Sequence, residues 1–354
     1  TNCGKLSSEK TIIISDNIIK SIENGYKEAS EDDIKIYDLK SKVVLPGLID
    51  FHVHMESQSG GQDRYVRRFQ DNKADVAFRS SVIAKKTLMS GFTTVRDVGG
   101  SGVNISLRNA INNGVIPGPR IFTSGKTIAT TGGHGDRTNG FRDDLVDDPG
   151  PEQGVVNSIA DARKAVRYRY KNGADLIKIT ATGGVMSLAK NGQNPQFTEE
   201  VIREIVKTAD DYGMHVAAHA HGDEGMFRAV NAGVTTIEHG SIMADRTMRL
   251  MKEKQTYLVP TISAGEHVAK MAKIPGYYPE IIIPKALEVG VQNKATTKKA
   301  YKMGVPIAFG TDAGVFPHGD NAGEFVYMKE IGIPAEYSLK SATITNAKLL
   351  NLSL

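Results

Sequence analysis

The chain has 354 residues, 40% hydrophobic and 24% charged, with a formal net charge of only +4. That balance fits a soluble globular protein of one large domain with an appendage, or of two domains. It offers no basic block for nucleic acid or an anionic membrane surface. The single cysteine, Cys3, excludes an internal disulfide and a cysteine-based zinc site. No apolar run approaches the roughly 20 residues of a membrane span. No signal peptide is visible, although the chain opens at Thr1. A cytoplasmic location is the default expectation, with a processed start and export left open.

Residues 1–45 read as a small β unit, too short to stand alone. Strands are expected at 11–15, 18–22, 35–39 and 43–45, separated by Asp16-Asn17, Glu23-Asn24-Gly25 and the acidic turn 30–33. From Pro46 to residue 354, strand and helix alternate. Apolar strand-like runs fall at 48–53, 93–97, 120–124, 176–180, 215–219, 235–239, 257–260 and 306–311. Helical periodicity occupies intervals such as 160–172, 199–212, 224–232, 243–254, 285–303 and 334–350. Gly91, Gly173, Gly213, Gly233 and Gly304 stand where helices stop ahead of the next strand. Eight such units over roughly 300 residues predict an α/β fold, a closed (β/α)₈ TIM barrel. An open doubly wound sheet is the rival, but it would gather its site at one crevice. Here polar residues recur at the ends of many strands, as a barrel requires. The loop 126–151, rich in Gly, Thr and Asp, is a candidate lid or substrate loop.

The first barrel strand ends Pro46-Gly47-Leu48-Ile49-Asp50-Phe51-His52-Val53-His54. Strand alternation puts His52 and His54 on one face, where two imidazoles can share a metal ion. A lone His-x-His is more often two polar residues at a strand end. Here later strands also end in candidate partners. In the fourth, alternation puts Leu176, Lys178 and Thr180 on one face and Ile177 and Ile179 on the other. If the isoleucines meet the outer helices, Lys178 points inward. A buried lysine is costly unless paired or neutralised. It snorkels to the rim, pairs with a carboxylate such as Asp175, or becomes carbamylated and bridges two cations. In the fifth, His219 and His221 share a face, one suited to metal and the other to substrate, and spacing does not say which. The sixth ends in His239 before Gly240. The eighth ends in Asp312, which can be a ligand, a general base or a helix N-cap. Chance is a poor account of all five strand ends together.

These residues closely resemble the amidohydrolase superfamily of metal-dependent hydrolases, over essentially the whole chain. The specific markers are residues 46–54, Lys178, His219, His239 and Asp312. A lysine in strand four marks binuclear members. Members that deaminate bases or open imidazolone rings generally lack it and use one metal. The chain looks most like the prolidases and Xaa-Arg/Lys carboxypeptidases. That resemblance rests on Thr93-Thr94-Val95-Arg96-Asp97-Val98-Gly99-Gly100, Gly132-Gly133-His134-Gly135-Asp136, Thr182-Gly183-Gly184-Val185 and Ala218-His219-Ala220-His221-Gly222. Two departures stand out. The family position at His221 is often tyrosine. Relatives also continue past Leu354 into strands that complete the small β domain, strands expected to be absent here.

By strand position the resemblance implies that His52, His54 and Asp312 hold one divalent ion and that His219 and His239 hold a second. Lys178, carbamylated, would bridge them, with zinc the expected metal. A water shared by two cations is acidified, and Asp312 is the expected proton shuttle to the leaving nitrogen. His134 is expected to meet the substrate carbonyl or α-carboxylate, with His221 helping. Gly184 and Val185 are expected to shape the pocket floor. Asp136 could read a cationic substrate end, and His318 could reach the rim. His215 and His267 are expected to be structural, and Asp97 to order loops rather than bind metal. The expected substrate is a small peptide or N-acyl amino acid, the Xaa-Pro dipeptide first. Alternatives are an Xaa-Arg or Xaa-Lys carboxypeptidase, a one-metal cyclic-amide hydrolase or deaminase, and a non-catalytic scaffold, which the full set of ligands disfavours. A homo-oligomer is compatible with such a barrel.

Overall fold

A computed structural model describes residues 7–28, 34–58, 60–61 and 63–352. Cys3 and the acidic turn 30–33 lie outside the described residues. The chain divides into two compact units, Thr1–Pro46 and Gly47–Leu354.

In the first unit, β1 (Lys10–Ser15) and β2 (Ile18–Asn24) form an antiparallel hairpin. Asp16 and Asn17 both take positive φ at its turn, a conformation those residues tolerate. The strands expected at 35–39 and 43–45 do not form. A strand persists only where a neighbour completes its ladder. Neither run pairs among the described residues, and Ile36, Tyr37 and Val43 stay exposed. Their β-like composition was a sound local signal without a tertiary partner.

In the second unit the barrel strands are β3 (Leu48–Val53), β4 (Phe92–Asp97), β5 (Arg120–Thr123), β6 (Ile177–Thr180), β7 (Val216–Gly222), β8 (Thr236–Ile242) and β9 (Tyr257–Val259). Each pairs in parallel with the next, except across β5–β6. There a parallel bridge, Ile128 to Ile179, continues the sheet. The eighth stave is residues 306–313. It joins β9 through Leu258 and Ile307, and β3 through Val53 and Ala313. Phe51 N–H donates to the Phe309 carbonyl at 2.9 Å, and His54 N–H to the Ala313 carbonyl at 2.8 Å. The barrel therefore closes, but its last stave is a set of bridges rather than a continuous ladder. The Asp50 carboxylate explains this, accepting from Thr311 N–H at 3.0 Å and the Thr311 hydroxyl at 2.6 Å in place of backbone. Asn346 adds a clasp, donating to the carbonyls of Ile49 and Phe309.

The helices, in chain order, are α1 (Asp63–Gln70), α2 (Lys73–Met89), α3 (Val103–Asn112), α4 (Ile159–Lys171), α5 (Glu199–Asp210), α6 (Asp223–Ala232) and α7 (Asp245–Lys254). They continue with α8 (Ile262–Met271), α9 (Ile283–Met303), α10 (Gly323–Glu330), α11 (Ala335–Lys340) and α12 (Asn346–Leu349). A π turn, Ser341–Thr345, joins the last two. Gly233 and Gly304 end α6 and α9 in the left-handed region, φ 99° and 83°, so each helix turns at once into its strand. The largest apolar cluster of the core includes Ile179, Ile202, Ala218, Ile237 and Phe309, and a smaller one gathers Ile49, Phe51, Val259 and Ala308. No helix among the described residues is long and apolar enough to cross a membrane.

Candidate active site

The carboxyl ends of the strands open into a cavity of about 1170 Å³. His52, His54, His134, Lys178, His219, His221, His239 and Asp312 all line it. Two triads form within it, His52–His54–Asp312 and His219–His221–His239, the ligand atoms of each lying within 4.8 Å of one another. Lys178 is buried on β6, beside the β7 strand that carries His219 and His221, and lines the same cavity.

Each imidazole is fixed by one nitrogen, which leaves the other for a ligand. His52 Nδ1 lies 2.7 Å from Glu238 and His54 Nδ1 lies 2.8 Å from the Gly99 carbonyl. His239 Nδ1 bonds the Thr261 hydroxyl at 2.7 Å, and His221 Nδ1 the Ser241 hydroxyl at 3.0 Å. In His219 the roles reverse: Nε2 donates to the Gly183 carbonyl at 3.0 Å, leaving Nδ1. Such partners set tautomer and ring orientation at metal sites. Burial, with help from the Lys178 charge, holds the rings neutral, the form that ligates. His54 falls to about 4, His134 and His221 to about 3, and His52, His219 and His239 well below the ordinary range.

Asp312 Oδ1 is buried and has no hydrogen-bond partner. It faces His54 Nε2 at 3.4 Å and His52 Nε2 at 3.6 Å. A buried carboxylate oxygen among neutral imidazoles is costly alone and well satisfied by a cation. The donor set therefore fits divalent metal. Asp312 and His239 hold positive φ, 62° and 72°, as does Thr261, whose hydroxyl bonds His239. Burial pushes the Asp312 carboxyl up and the Lys178 amine down.

Beneath His52 lies a buried charged network. Arg96 is fully buried on β4 and donates to Glu238 at 2.6 Å and to the Phe51 carbonyl at 2.7 Å, with its Cζ 3.9 Å from the centre of the Phe51 ring. Glu238 in turn orients His52. Arg96 lies in the 93–100 motif and Glu238 in the 235–239 strand run, where inward alternation from Thr236 is the available signal for Glu238. Glu238→Gln leaves the guanidinium without its charge partner in a dry interior. It is expected to lower stability by about 3 kcal/mol, read as a shift of the urea midpoint with an unchanged slope.

Two expected substrate contacts are corrected. His318 does not reach the rim. It is fully buried, with Nε2 donating to the His54 carbonyl at 3.1 Å and Nδ1 3.2 Å from the Thr87 hydroxyl, so it supports the backbone of His54. Asp136 does line the cavity, but its carboxylate accepts from Gly132 N–H at 2.9 Å and from Thr138 N–H and hydroxyl at 2.9 and 2.7 Å. It shapes its own loop, as an Asx-type turn demands. Gly184 is indispensable for a packing reason: a Cβ there would sit 2.2 Å from the His134 ring. His134 itself stacks on His219, centroids 4.4 Å apart, and its buried Nδ1 has no partner. Val185 lines the cavity wall. Asp97 bonds Met55 N–H and the Asn104 amide, and His215 stacks on Phe51, both structural positions. Arg64 on α1 lines the cavity with no hydrogen-bond or ion-pair partner among the described residues, a cation the sequence did not single out.

Residues 43–354 match the Amidohydrolase family. The chain belongs to the amidohydrolase family. This amidohydrolase is similar to a Xaa-Pro dipeptidase crystallised with methionine in its active site. The TM-score is 0.96 at 53% identity, over 99% of this chain and 86% of that one. A prolidase bound to N-methylphosphonate-L-proline superposes with a TM-score of 0.83 at 31% identity, over 98% and 82% of the two chains. Ochratoxinase of Aspergillus niger is 32% identical over 96% of this chain and 72% of its own length. The fold is the α/β barrel of amidohydrolases. The chain is an enzyme, and its chemistry is metal-dependent amide hydrolysis.

Proposed function

We propose that this amidohydrolase uses two divalent ions, zinc being the expected pair, to release the C-terminal residue of dipeptides or N-acyl amino acids, Xaa-Pro dipeptides foremost. The observation that carries the reading is the pair of ligand triads facing one cavity, with Lys178 buried and lining that cavity and Asp312 Oδ1 unpartnered. His52, His54 and Asp312 would hold one ion, His219 and His239 the other, and carbamylated Lys178 both. His221 stands close enough to complete the second set or to meet substrate.

When bound, such ions acidify a shared water and polarise the scissile carbonyl. Asp312 then takes the proton of the attacking water and returns it to the leaving nitrogen, which an amide needs because an unprotonated amine leaves poorly. His134, a neutral ring with an open Nδ1, is placed to steady the substrate carbonyl or carboxylate. Arg64, one of the cavity cations without an ion-pair partner among the described residues, is suited to a substrate's free carboxylate.

The wall of the cavity favours an apolar residue over a cationic one. Val185, Met186, Val268, Val289 and Val315 line it. Meanwhile Asp136 is engaged with its own loop, and Asp71 is paired with Arg79. The similarity to a Xaa-Pro dipeptidase and a prolidase supports proline at the released position. The test is a panel of Met-Pro, Ala-Pro, Ala-Leu, Ala-Arg and Ala-Pro-amide with zinc-loaded enzyme. Xaa-Pro dipeptides should be cleaved at least about tenfold faster than Ala-Arg, one missing partner for a charge being worth that much or more. Ala-Pro-amide should be poor. Preference for Ala-Arg would replace the prolidase reading with the carboxypeptidase one, and equal cleavage of the amide would remove the carboxylate contact.

A further inference from the structure

The loop after β6 makes the cavity wall that carries Gly184, Val185 and Met186. A loop of this kind has no ladder of its own, and its carbonyls need other donors. One side chain supplies most of them. Lys285, buried on α9, donates from Nζ to the carbonyls of Ser187 at 2.6 Å, Ala189 at 2.7 Å and Gly184 at 3.3 Å. An ammonium has three N–H groups, and all three meet this loop. Two further ties come from Glu288, which accepts from the Gln193 amide at 2.7 Å, and from Tyr65, whose hydroxyl donates to the Met186 carbonyl at 3.2 Å.

The same helix is tied to the backbone of the candidate ligands. Asn293 donates to the His239 carbonyl at 3.2 Å and the Pro260 carbonyl at 2.8 Å, and Thr296 donates to the Ser241 carbonyl at 2.7 Å. Positions 285, 293 and 296 fall on one helical face. Helix α9 thus works as a bracket, with the end of β8 on one arm and the pocket wall on the other. Displacement of the wall would be felt directly at His134, whose ring packs on Gly184 without room for a methyl group.

We infer that Lys285 is a positioning residue for substrate binding, its ammonium fixing the 184–189 wall of the cavity against α9. The role deepens the proposed amide hydrolysis and rests on it for its kinetic readout. A lysine is required because a neutral side chain offers fewer donors than the three carbonyls accept. The lysine's stem fills space beside Gly192, which lies 3.6 Å from Lys285 Cδ when given a Cβ.

The test compares wild type, Lys285→Met and Lys285→Arg in the metal-loaded enzyme. Backbone hydrogen exchange over 184–194 and the kcat and KM for Met-Pro are read for each. Lys285→Met is expected to speed exchange in that segment and raise KM about tenfold, kcat staying within about threefold, as loss of charged hydrogen bonds to the wall predicts. Lys285→Arg should recover most of the loss. An unchanged KM, or exchange in 184–194 no faster than in wild type, overturns the inference. If Lys285→Met does not fold, Tyr65→Phe decides. It removes one bond to the same loop and should raise exchange and KM in the same direction, and if neither moves the inference fails. Inactivity of wild type on Met-Pro would overturn the substrate reading alone, with exchange in 184–194 still deciding the role of Lys285.

Discussion

Asp312→Asn is expected to lower kcat by about 10³-fold with both metals still bound, the usual scale for removing a general acid–base group. The substitution is isosteric, and asparagine tolerates the φ of 62° found here, so the backbone has no reason to move. What disappears is the oxygen able to carry a proton. His52, His54 and His239 cannot replace it with metal bound, because one nitrogen of each is committed to Glu238, Gly99 or Thr261 and the other would hold the ion. Turnover and metal content should be measured on the same sample. Near-normal kcat with two ions bound would remove Asp312 from proton transfer. Loss of one ion with loss of activity would make it a ligand only.

The second large effect belongs to Lys178. Lys178→Ala is expected to drop metal content from two ions per chain toward one and to cut kcat/KM by about 10³-fold or more, because bridging and water acidification fail together. Burial pulls the amine's pKa down, opposed by Glu238 and helped by Arg96. A larger neutral fraction follows at ordinary pH, and only the neutral amine attacks CO₂. On the proposed carbamylation, the new N–C bond would form as one proton leaves, and the lysine would end in two oxygens where alanine has none. Acetate or propionate should restore part of both activity and metal content by occupying the vacated space. Full metal occupancy and activity in the alanine variant would show that Lys178 serves as a buried ion-pair partner instead.

Much of this arrangement was legible because ligands at strand ends leave a one-dimensional trace. A histidine pair spaced by one residue, a lysine flanked by isoleucines and a terminal aspartate each obey strand alternation. The barrel itself was legible from apolar runs and glycine stops, although the eighth run became a bridged stave. That outcome turns on Asp50, a charged residue inside an apolar strand whose partner, Thr311, lies 261 positions away. Side chains that act on another part of the chain left no such trace. His318 looked like a loop histidine near a pocket, and only the fold turns it beneath His54. Asp136 looked free to read a cation, and only its loop geometry commits it. Lys285 sat in an ordinary helical pattern, where nothing local distinguishes a surface lysine from one holding three carbonyls. The runs at 35–39 and 43–45 had strand composition but no neighbour to pair with.

The Arg96–Glu238 pair also bears on how the barrel is made. Its members are 142 residues apart, on the second and sixth strands, and neither charge touches water. A chain synthesised only through β5 therefore carries a guanidinium whose carboxylate has not yet been made, and a half-barrel would have to bury it alone. Contacts of such long sequence separation slow folding and couple its last steps. The first three strands are thus held back from settling until the sixth arrives, and the eight staves lock together late rather than one by one. In the finished protein the same pair penalises any opening that separates the second strand from the sixth, so local fraying stops at the wall on which the histidines stand.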